Sequence, residues 1–142
     1  MATQRSPFRH LPGARLSRSA LRWLAPLGWA ALLLWLGRQQ GQDLPDPPLW
    51  DFPGKDKLIH AGFYGVLGAL TSWAAGFPRP LRAALAGFVA AAAVGLLDEW
   101  GQASTAGRHS SGADLAADLV GGVIGALAMG PVVRRFIPRR KG

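Results

Sequence analysis

Residues 56–76 read DKLIHAGFYGVLGALTSWAAG, an apolar segment that opens with charged side chains. Asp56, Lys57 and His60 stand at its start, and Tyr64 follows one helical turn later. The segment is long enough to cross a bilayer as a helix, which takes roughly 20 residues. It therefore predicts a transmembrane helix with ionisable groups at one end.

The chain contains three more segments of this kind, residues 21–37, 83–97 and 115–133, which carry only Arg22 and Asp118 as charges. Segments 21–37 and 83–97 need Arg22 and Arg82, respectively, to extend to the membrane interface in order to reach bilayer length. Of the 142 residues, 49% are hydrophobic and only 17% are charged, which is less charge than a soluble surface normally carries. We predict an all-α, polytopic integral membrane protein with four transmembrane helices.

Two other interpretations of the apolar segments are less consistent with the sequence. A soluble helical bundle would show a polar face along each helix, and the stretch AALAGFVAAAAVGLL at residues 83–97 shows none. A cleaved signal peptide would end in an A-x-A-like site, and none follows LLLWLGRQQG at residues 32–41. We therefore expect the first segment to be an uncleaved helix.

The charges are distributed unevenly between the segments. Twelve of the 16 basic residues precede the first helix, join the second to the third, or follow the fourth. With four crossings these three regions lie on one side of the membrane, and all eight acidic residues face the other. The positive-inside rule then predicts that both termini are cytoplasmic. The predicted layout is a basic tail at 1–19, a membrane domain at 20–133 and a second basic tail at 134–142.

This distribution also bears on partners. A net charge of +8 alone would suggest nucleic acid, but the basic residues are placed as topology signals, so we expect contact with membrane lipids and no nucleic-acid binding. The chain has no cysteine, so disulfide and thiol chemistry are excluded. The sequence does not define an oligomeric state, because a G-x-x-x-G pair serves internal packing and dimerisation equally well.

Three of the predicted helices carry polar residues at the same end, at steps of three or four that place them on one face. The same faces continue with small residues, which allow close helix packing. On the third helix this face comprises Ala83, Gly87, Ala91, Gly95, Glu99 and Gln102, and on the fourth Ser111, Asp114, Asp118, Gly121 and Gly125. The candidate binding or catalytic cluster is Asp56, Lys57, His60, Tyr64, Glu99, Gln102, Arg108, Ser111, Asp114 and Asp118.

Parts of this cluster also have purely structural interpretations. Asp56 can cap the second helix, and Ser111 or Asp114 can cap the fourth. Glu99 and Arg108 can form an ion pair that ties a loop to a helix. Lone His109 fits a solvated loop position. Asp98 is expected to face the headgroups. These alternatives leave unexplained why three helices carry polar faces at one level.

The blocks DKLIHAGFYGVLG, DEWGQ and GRHSSGADLAADLVGGVIG resemble the VanZ-like family of small bacterial membrane proteins, over roughly residues 55–130. The family has Asp-Lys, a His three residues on and a Tyr four later, then Glu-x-x-Gln, Arg-x-x-Ser-x-x-Asp, an Asn and spaced glycines. Asp118 stands where the family usually has that Asn, which adds a possible charge. The resemblance implies a four-helix membrane protein, and the family takes its name from a member linked to teicoplanin resistance. The matching residues are Asp56, Lys57, His60, Tyr64, Glu99, Gln102, Arg108, Ser111, Asp114, Gly121 and Gly125.

We expect a multi-pass protein of the bacterial cytoplasmic membrane whose outward-facing polar cavity binds a lipid headgroup, a lipid-linked wall precursor or a glycopeptide-like ligand. Arg108, Lys57 and His60 would take its phosphate or carboxylate. The alternative is an outer-leaflet enzyme, a lipid phosphoester hydrolase or headgroup transferase. Glu99 or Asp114 would then act as general base, His60 as acid, and Arg108 would stabilise an anion.

Two further possibilities concern ions. No cofactor is expected, although His60, Glu99 and Asp114 are candidate ligands for a divalent metal. The metal signal is weak, because the sequence has neither H-x-x-x-H nor H-E-x-x-H. A proton or ion pathway is a third function, but the polar stripe of the second helix ends at Thr71 and Ser72, about halfway along.

Overall fold

The computed structural model describes residues 18–39, 52–77, 79–103 and 112–136. Within these ranges the chain forms helices and the turns that bound them, and it contains no strand. The all-α prediction is confirmed for this part of the chain. The helices are α1 (Arg18–Arg22), α2 (Leu24–Arg38), α3 (Lys55–Ala75), α4 (Pro80–Ala103) and α5 (Gly112–Phe136).

Four helical stretches are long and apolar enough to cross a membrane, namely Ser19–Arg38, Lys55–Ala75, Pro80–Gly101 and Gly112–Phe136. Each corresponds to one predicted segment. The helices continue past the apolar residues, because charged side chains at a membrane surface do not stop a helix. Arg134 and Arg135 lie in the last turn of α5, where cations suit the negative end of the helix dipole. The predicted boundary at residue 133 therefore falls inside α5.

The first span is interrupted at Trp23, between α1 and α2. Pro26 has no N–H and cannot donate to the carbonyl of Arg22, so one helical hydrogen bond is missing there. The N–H of Trp23 donates instead to the carbonyl of Ala20 at 3.1 Å, and the regular pattern resumes where Leu27 donates to Trp23 at 3.1 Å. The irregularity associated with Pro26 thus lies about one turn upstream of the proline.

Two glycines bound α3, and both adopt backbone conformations that favour glycine. Gly54 precedes the helix with φ 85° and Gly76 follows it with φ 65°. The N–H of Gly76 donates to the carbonyls of Ser72 and Trp73, at 3.0 and 3.2 Å, and the N–H of Phe77 donates to Ser72 at 3.3 Å. These bonds satisfy the last carbonyls of the helix. The chain can then reverse into α4, which packs against α3.

Helix α5 packs most extensively against α3 and also against α4, and on its α3 side the contact is between backbones. A Cβ added to Gly121 would collide with the backbone of Ala61, and one added to Gly125 would collide with the carbonyl of Gly65. Such close approach requires glycine on the contacting face. Gly121 and Gly125, predicted as a G-x-x-x-G pair, therefore serve packing within the chain.

The α4 side of α5 is equally close. A Cβ on Gly122 would lie 2.7 Å from the Cβ of Ala91 and 2.8 Å from the carbonyl oxygen of Gly87. Ala83 and Ala91 are fully buried, and Gly87 and Gly95 are buried with them. The predicted groove of small residues on this helix is confirmed as the surface that receives α5.

Helix α2 packs through larger side chains. Leu33 joins a buried cluster with Tyr64, Leu67, Ala91 and Val94. Nearby, Nε1 of Trp29 donates a hydrogen bond of 2.9 Å to the carbonyl of Phe63, and the two rings lie 6.0 Å apart. Much of the remaining surface is apolar, as expected of helices that face acyl chains. Exposed residues of this kind include Leu24, Trp35, Leu81, Val89 and Ile124.

The two ends of the bundle differ in charge. At one, the polar end, α2 and α4 finish and α3 and α5 begin. The opposite, arginine end is formed by α1, the end of α3, the start of α4 and the end of α5. All carboxylates within the described ranges belong to the polar-end halves of their helices, namely Asp56, Asp98, Glu99, Asp114 and Asp118.

The glycine contact predicts the effect of a single methyl group. Gly125→Ala should lower the free energy of unfolding by about 1–3 kcal/mol, because the added Cβ meets a backbone carbonyl that cannot rotate away. Gly62→Ala is the matched control, since a Cβ there has no neighbour within 4 Å. The unfolding midpoint in one fixed detergent should fall for the first variant only. Equal midpoints would show that α3 and α5 do not touch at Gly125.

Candidate functional site

Lys57 connects two helices at the polar end. Its Nζ donates to Oδ2 of Asp56 at 2.6 Å and to Oδ1 of Asp114 at 3.1 Å. Asp56 is its neighbour on α3, whereas Asp114 lies in the first turn of α5. The Lys57 side chain is 42% exposed and that of Asp114 is 25% exposed. The ammonium group therefore joins α3 to α5 at a level that a ligand can reach.

His60 and Asp118 form a second connection one turn further into the bundle. Nδ1 of His60 lies 2.9 Å from Oδ1 of Asp118, within hydrogen-bonding distance. The Asp118 side chain is only 6% exposed, whereas that of His60 is 36% exposed. The carboxylate is thus enclosed and fixes the imidazole, while part of the ring remains accessible. A His oriented in this way can bind an anion or transfer a proton.

Tyr64 lies below His60 on the same face of α3. The two rings are nearly parallel, with 9° between their planes and centroids 6.4 Å apart. Tyr64 is 4% exposed and belongs to the apolar core. On α4, Gly95 faces this layer, because a Cβ there would lie 3.4 Å from Oδ2 of Asp118 and 3.9 Å from Cε1 of Tyr64. The charged side chains of the cluster therefore end at an aromatic layer.

The structure brings together six of the ten predicted site residues. Glu99 is partly buried at the same end of α4, but it makes no hydrogen bond or ion pair with the described members of the cluster. Gln102 lies in the last turn of α4. Arg108, Ser111 and His109 lie outside the described residues. The six that are joined by direct contacts are Asp56, Lys57, His60, Tyr64, Asp114 and Asp118.

Two features of this region were not evident from the sequence. The partner of Asp118 was unassigned, because its pairing with His60 depends on the relative depth of α3 and α5. Asp98 was expected to face the headgroups, yet its side chain packs against Gly37 at the end of α2. One feature of the sequence could have suggested the pairing of His60 with Asp118, because the two residues lie at similar depth in their predicted helices.

Two of the three proposed metal ligands are engaged in other contacts. His60 pairs with Asp118, and Asp114 accepts a hydrogen bond from Lys57. Among the residues that the structure describes, no group of three His, Cys, Asp or Glu side chains is arranged to hold a metal ion. The set of His60, Glu99 and Asp114 remains a prediction.

The fold and cluster define a class: an all-helical protein with four helices able to cross a membrane and an ionisable cluster at one end of the bundle. The chain matches no family model, no curated protein sequence and no solved structure.

The burial of Asp118 predicts a graded response to substitution. Asp118→Ala should lower the free energy of unfolding by about 1–3 kcal/mol, because it removes the hydrogen-bonding partner of His60 and leaves a gap. Asp118→Asn should lower the free energy of unfolding by less, since the amide retains an oxygen at the same position. Unfolding midpoints in one detergent give the order.

Asp56→Asn is the matched control, because it makes the same chemical change on a side chain that is 55% exposed. Exposed ion pairs contribute little to stability, so this variant should have the same unfolding midpoint as the wild type. A stability of Asp118→Ala equal to that of Asp56→Asn would contradict the enclosed contact.

Proposed function

We propose that this chain is a multi-pass protein of the bacterial cytoplasmic membrane that binds the polar head of an amphiphilic envelope ligand at its polar end. Candidate ligands are a phospholipid headgroup, a lipid-linked cell-wall precursor and a glycopeptide-like antibiotic. The observation that carries the proposal is the enclosed Asp118, held by His60 in a helix able to cross a membrane. The motif resemblance to the VanZ-like family supports the same class of protein.

The energetic argument concerns the cost of a polar group in a membrane span. A charged side chain there costs at least about 2.5 kcal/mol even on lenient scales. A bundle kept only for packing would gain from well-packed apolar residues at both positions 60 and 118, since buried ion pairs seldom improve stability over apolar side chains. The retention of His60 and Asp118 next to a glycine-packed interface is therefore best explained by a ligand.

The arrangement of charges suggests how such a ligand would bind. The exposed parts of Lys57 and His60 offer donors to a phosphate or carboxylate. Asp56 and Asp114 accept hydrogen bonds from an amine. Because both signs occur within one helical turn, a headgroup that combines an anionic and an amino group suits the site better than a simple anion.

The proposed orientation places both termini in the cytoplasm, because the arginine end and both basic tails would then follow the positive-inside rule. The polar end would face outward, toward wall precursors and antibiotics. With no cysteine in the chain, single cysteines can report this orientation directly.

We expect Ser110→Cys to react with a membrane-impermeant maleimide on intact cells, and Ser6→Cys to react only after the membrane is permeabilised. Both residues precede or follow predicted helices in hydrophilic segments of the sequence. Labelling of Ser6→Cys on intact cells, with Ser110→Cys protected, would reverse the proposed orientation and remove the antibiotic from the candidate ligands.

Binding can be tested on purified protein in nanodiscs of phosphatidylcholine. Phosphatidylethanolamine, a lipid-linked wall precursor and teicoplanin are added in turn, and the shift in unfolding midpoint is measured. We expect saturable stabilisation by at least one of them, since a ligand that binds only the folded state at about 100 times its Kd stabilises by about 2.7 kcal/mol. Lys57→Gln and His60→Gln should each reduce this effect.

Trp29→Phe provides the control, because it removes a hydrogen bond between α2 and α3 without altering the cluster. It should lower the midpoint of the free protein and leave the ligand-induced shift intact. The proposal fails if none of the three probes binds saturably and if loss of the gene leaves susceptibility to envelope-targeting antibiotics unchanged.

One observation favours a second candidate, an outer-leaflet lipid phosphoester hydrolase or headgroup transferase. An enclosed carboxylate at Nδ1 orients His60 so that Nε2 is the nitrogen available for proton transfer. Nε2 would accept a proton from water as that water attacks phosphorus, and would return it to the departing oxygen as the ester bond breaks. Release of a labelled headgroup by the wild type, abolished in His60→Gln, would indicate this function, whereas saturable binding by the wild type without any release would indicate binding alone.

A further inference from the structure

The arginine end carries a concentration of positive charge that the proposed headgroup site does not use. Arg79, Arg82, Arg134 and Arg135 are exposed there, and Arg22 is partly buried. Every carboxylate in the described ranges lies toward the other end of its helix, so no described acid neutralises these guanidinium groups. A negatively charged partner from outside the described chain would complement them.

Arg22 differs from the other described arginines because its aromatic contact joins two helices. Its Cζ lies 5.7 Å from the centroid of the Trp73 ring, a distance at which the cation is attracted to the aromatic face. The contact joins α1 to α3, and the interruption at Trp23 accompanies it. An arginine that contacts an aromatic ring retains five N–H donors in a planar fork, and this fork matches phosphate oxygens.

The position of this pair along the bundle indicates the class of partner. Trp73 lies in the last turn of α3, Arg79 directly precedes α4, and Arg82 lies in the first turn of α4. Helices of this length place such residues near the membrane interface, where Trp is enriched and phosphate groups are found. We call these four residues at one end of the bundle, Arg22, Trp73, Arg79 and Arg82, the arginine corner.

We propose that the arginine corner is a binding site for the phosphate of an anionic phospholipid, with Arg22 as its central ligand. Arg79 and Arg82 add positive charge from the adjacent helix. The acyl chains of the lipid contact the apolar outer surfaces of α1 and α3. Clusters of basic residues between transmembrane helices recognise anionic headgroups through their charge. The proposal stands independently of the headgroup site at the polar end.

The test measures lipid retained on the full chain by native mass spectrometry. Protein in neutral detergent is incubated with equal amounts of phosphatidylglycerol and phosphatidylcholine, and bound lipids are counted. We expect wild type to retain phosphatidylglycerol preferentially, and Arg22→Gln to reduce that preference by about tenfold, as expected when a charged, bidentate donor is removed. Arg22→Lys should fall between them, because it keeps the charge but loses the planar fork.

Arg135→Gln is the matched control, because it removes the same charge at the same end. Arg135 stacks on its own neighbour Phe136, at 5.8 Å, rather than joining two helices. It should change the preference by less than about twofold, since a lone exposed charge contributes little. Unfolding midpoints in phosphatidylcholine alone establish that each variant is folded, and Arg22→Lys tests the site even where Arg22→Gln is unstable.

Two results would overturn the proposal. Equal losses for Arg22→Gln and Arg135→Gln would mean that only net charge attracts the lipid. Inorganic phosphate could also displace phosphatidylglycerol when the ionic strength is matched with chloride. That result would mean that the arginine corner binds free phosphate rather than a phospholipid. Persistence of the lipid in phosphate, with the loss confined to Arg22 variants, would support a phospholipid site.

Discussion

The backbone contact between α3 and α5 aligns the rest of the molecule. These helices run in the same direction, because one crossing, α4, separates their ends in the chain. Gly121 meets Ala61, and Gly125 meets Gly65. Successive turns toward the polar end then bring Asp118 to His60, and Asp114 to Lys57. The glycine contacts and the polar contacts thus form one ladder between two parallel helices, and a change in helix separation would disturb both.

Along this ladder, between Gly121 and Asp118 on α5, the glycine contacts give way to polar contacts. Toward the arginine end, α4 presents Ala83, Gly87 and Ala91, which let α5 approach without any hydrogen bond. The Thr71 hydroxyl donates a hydrogen bond of 2.8 Å to the carbonyl of Leu67 in its own helix. Thr71 and Ser72 are the only buried polar side chains among the described residues of this half. The polar groups collect instead at one end, where His60 remains partly exposed.

Charge asymmetry gives the two ends different chemistry. Mixed charges at the polar end pair with one another across helices, so a ligand there competes with contacts that already exist. Arginines at the opposite end have no described carboxylate nearby, so a ligand there adds contacts. The two proposed sites should consequently respond differently to salt, since exposed charges are screened more strongly than enclosed pairs. A polar-end ligand gains specificity from geometry, whereas an anionic lipid gains mainly from charge.

The sequence by itself determined the number of membrane-length helices, their small-residue faces and the end at which ionisable groups collect. These features follow from local periodicity, because residues three or four apart share a helix face whatever lies opposite. It identified Gly121 and Gly125 but not their partners Ala61 and Gly65, which are inconspicuous within an apolar segment.

Tertiary structure alone decided the pairings: His60 with Asp118, Lys57 with Asp114, Asp98 against Gly37, and Arg22 over Trp73. Each depends on the relative depth and rotation of two helices, which the backbone contacts set and which no single helix encodes. The same charged residues would be ordinary interfacial charges if α5 were displaced by one turn along α3.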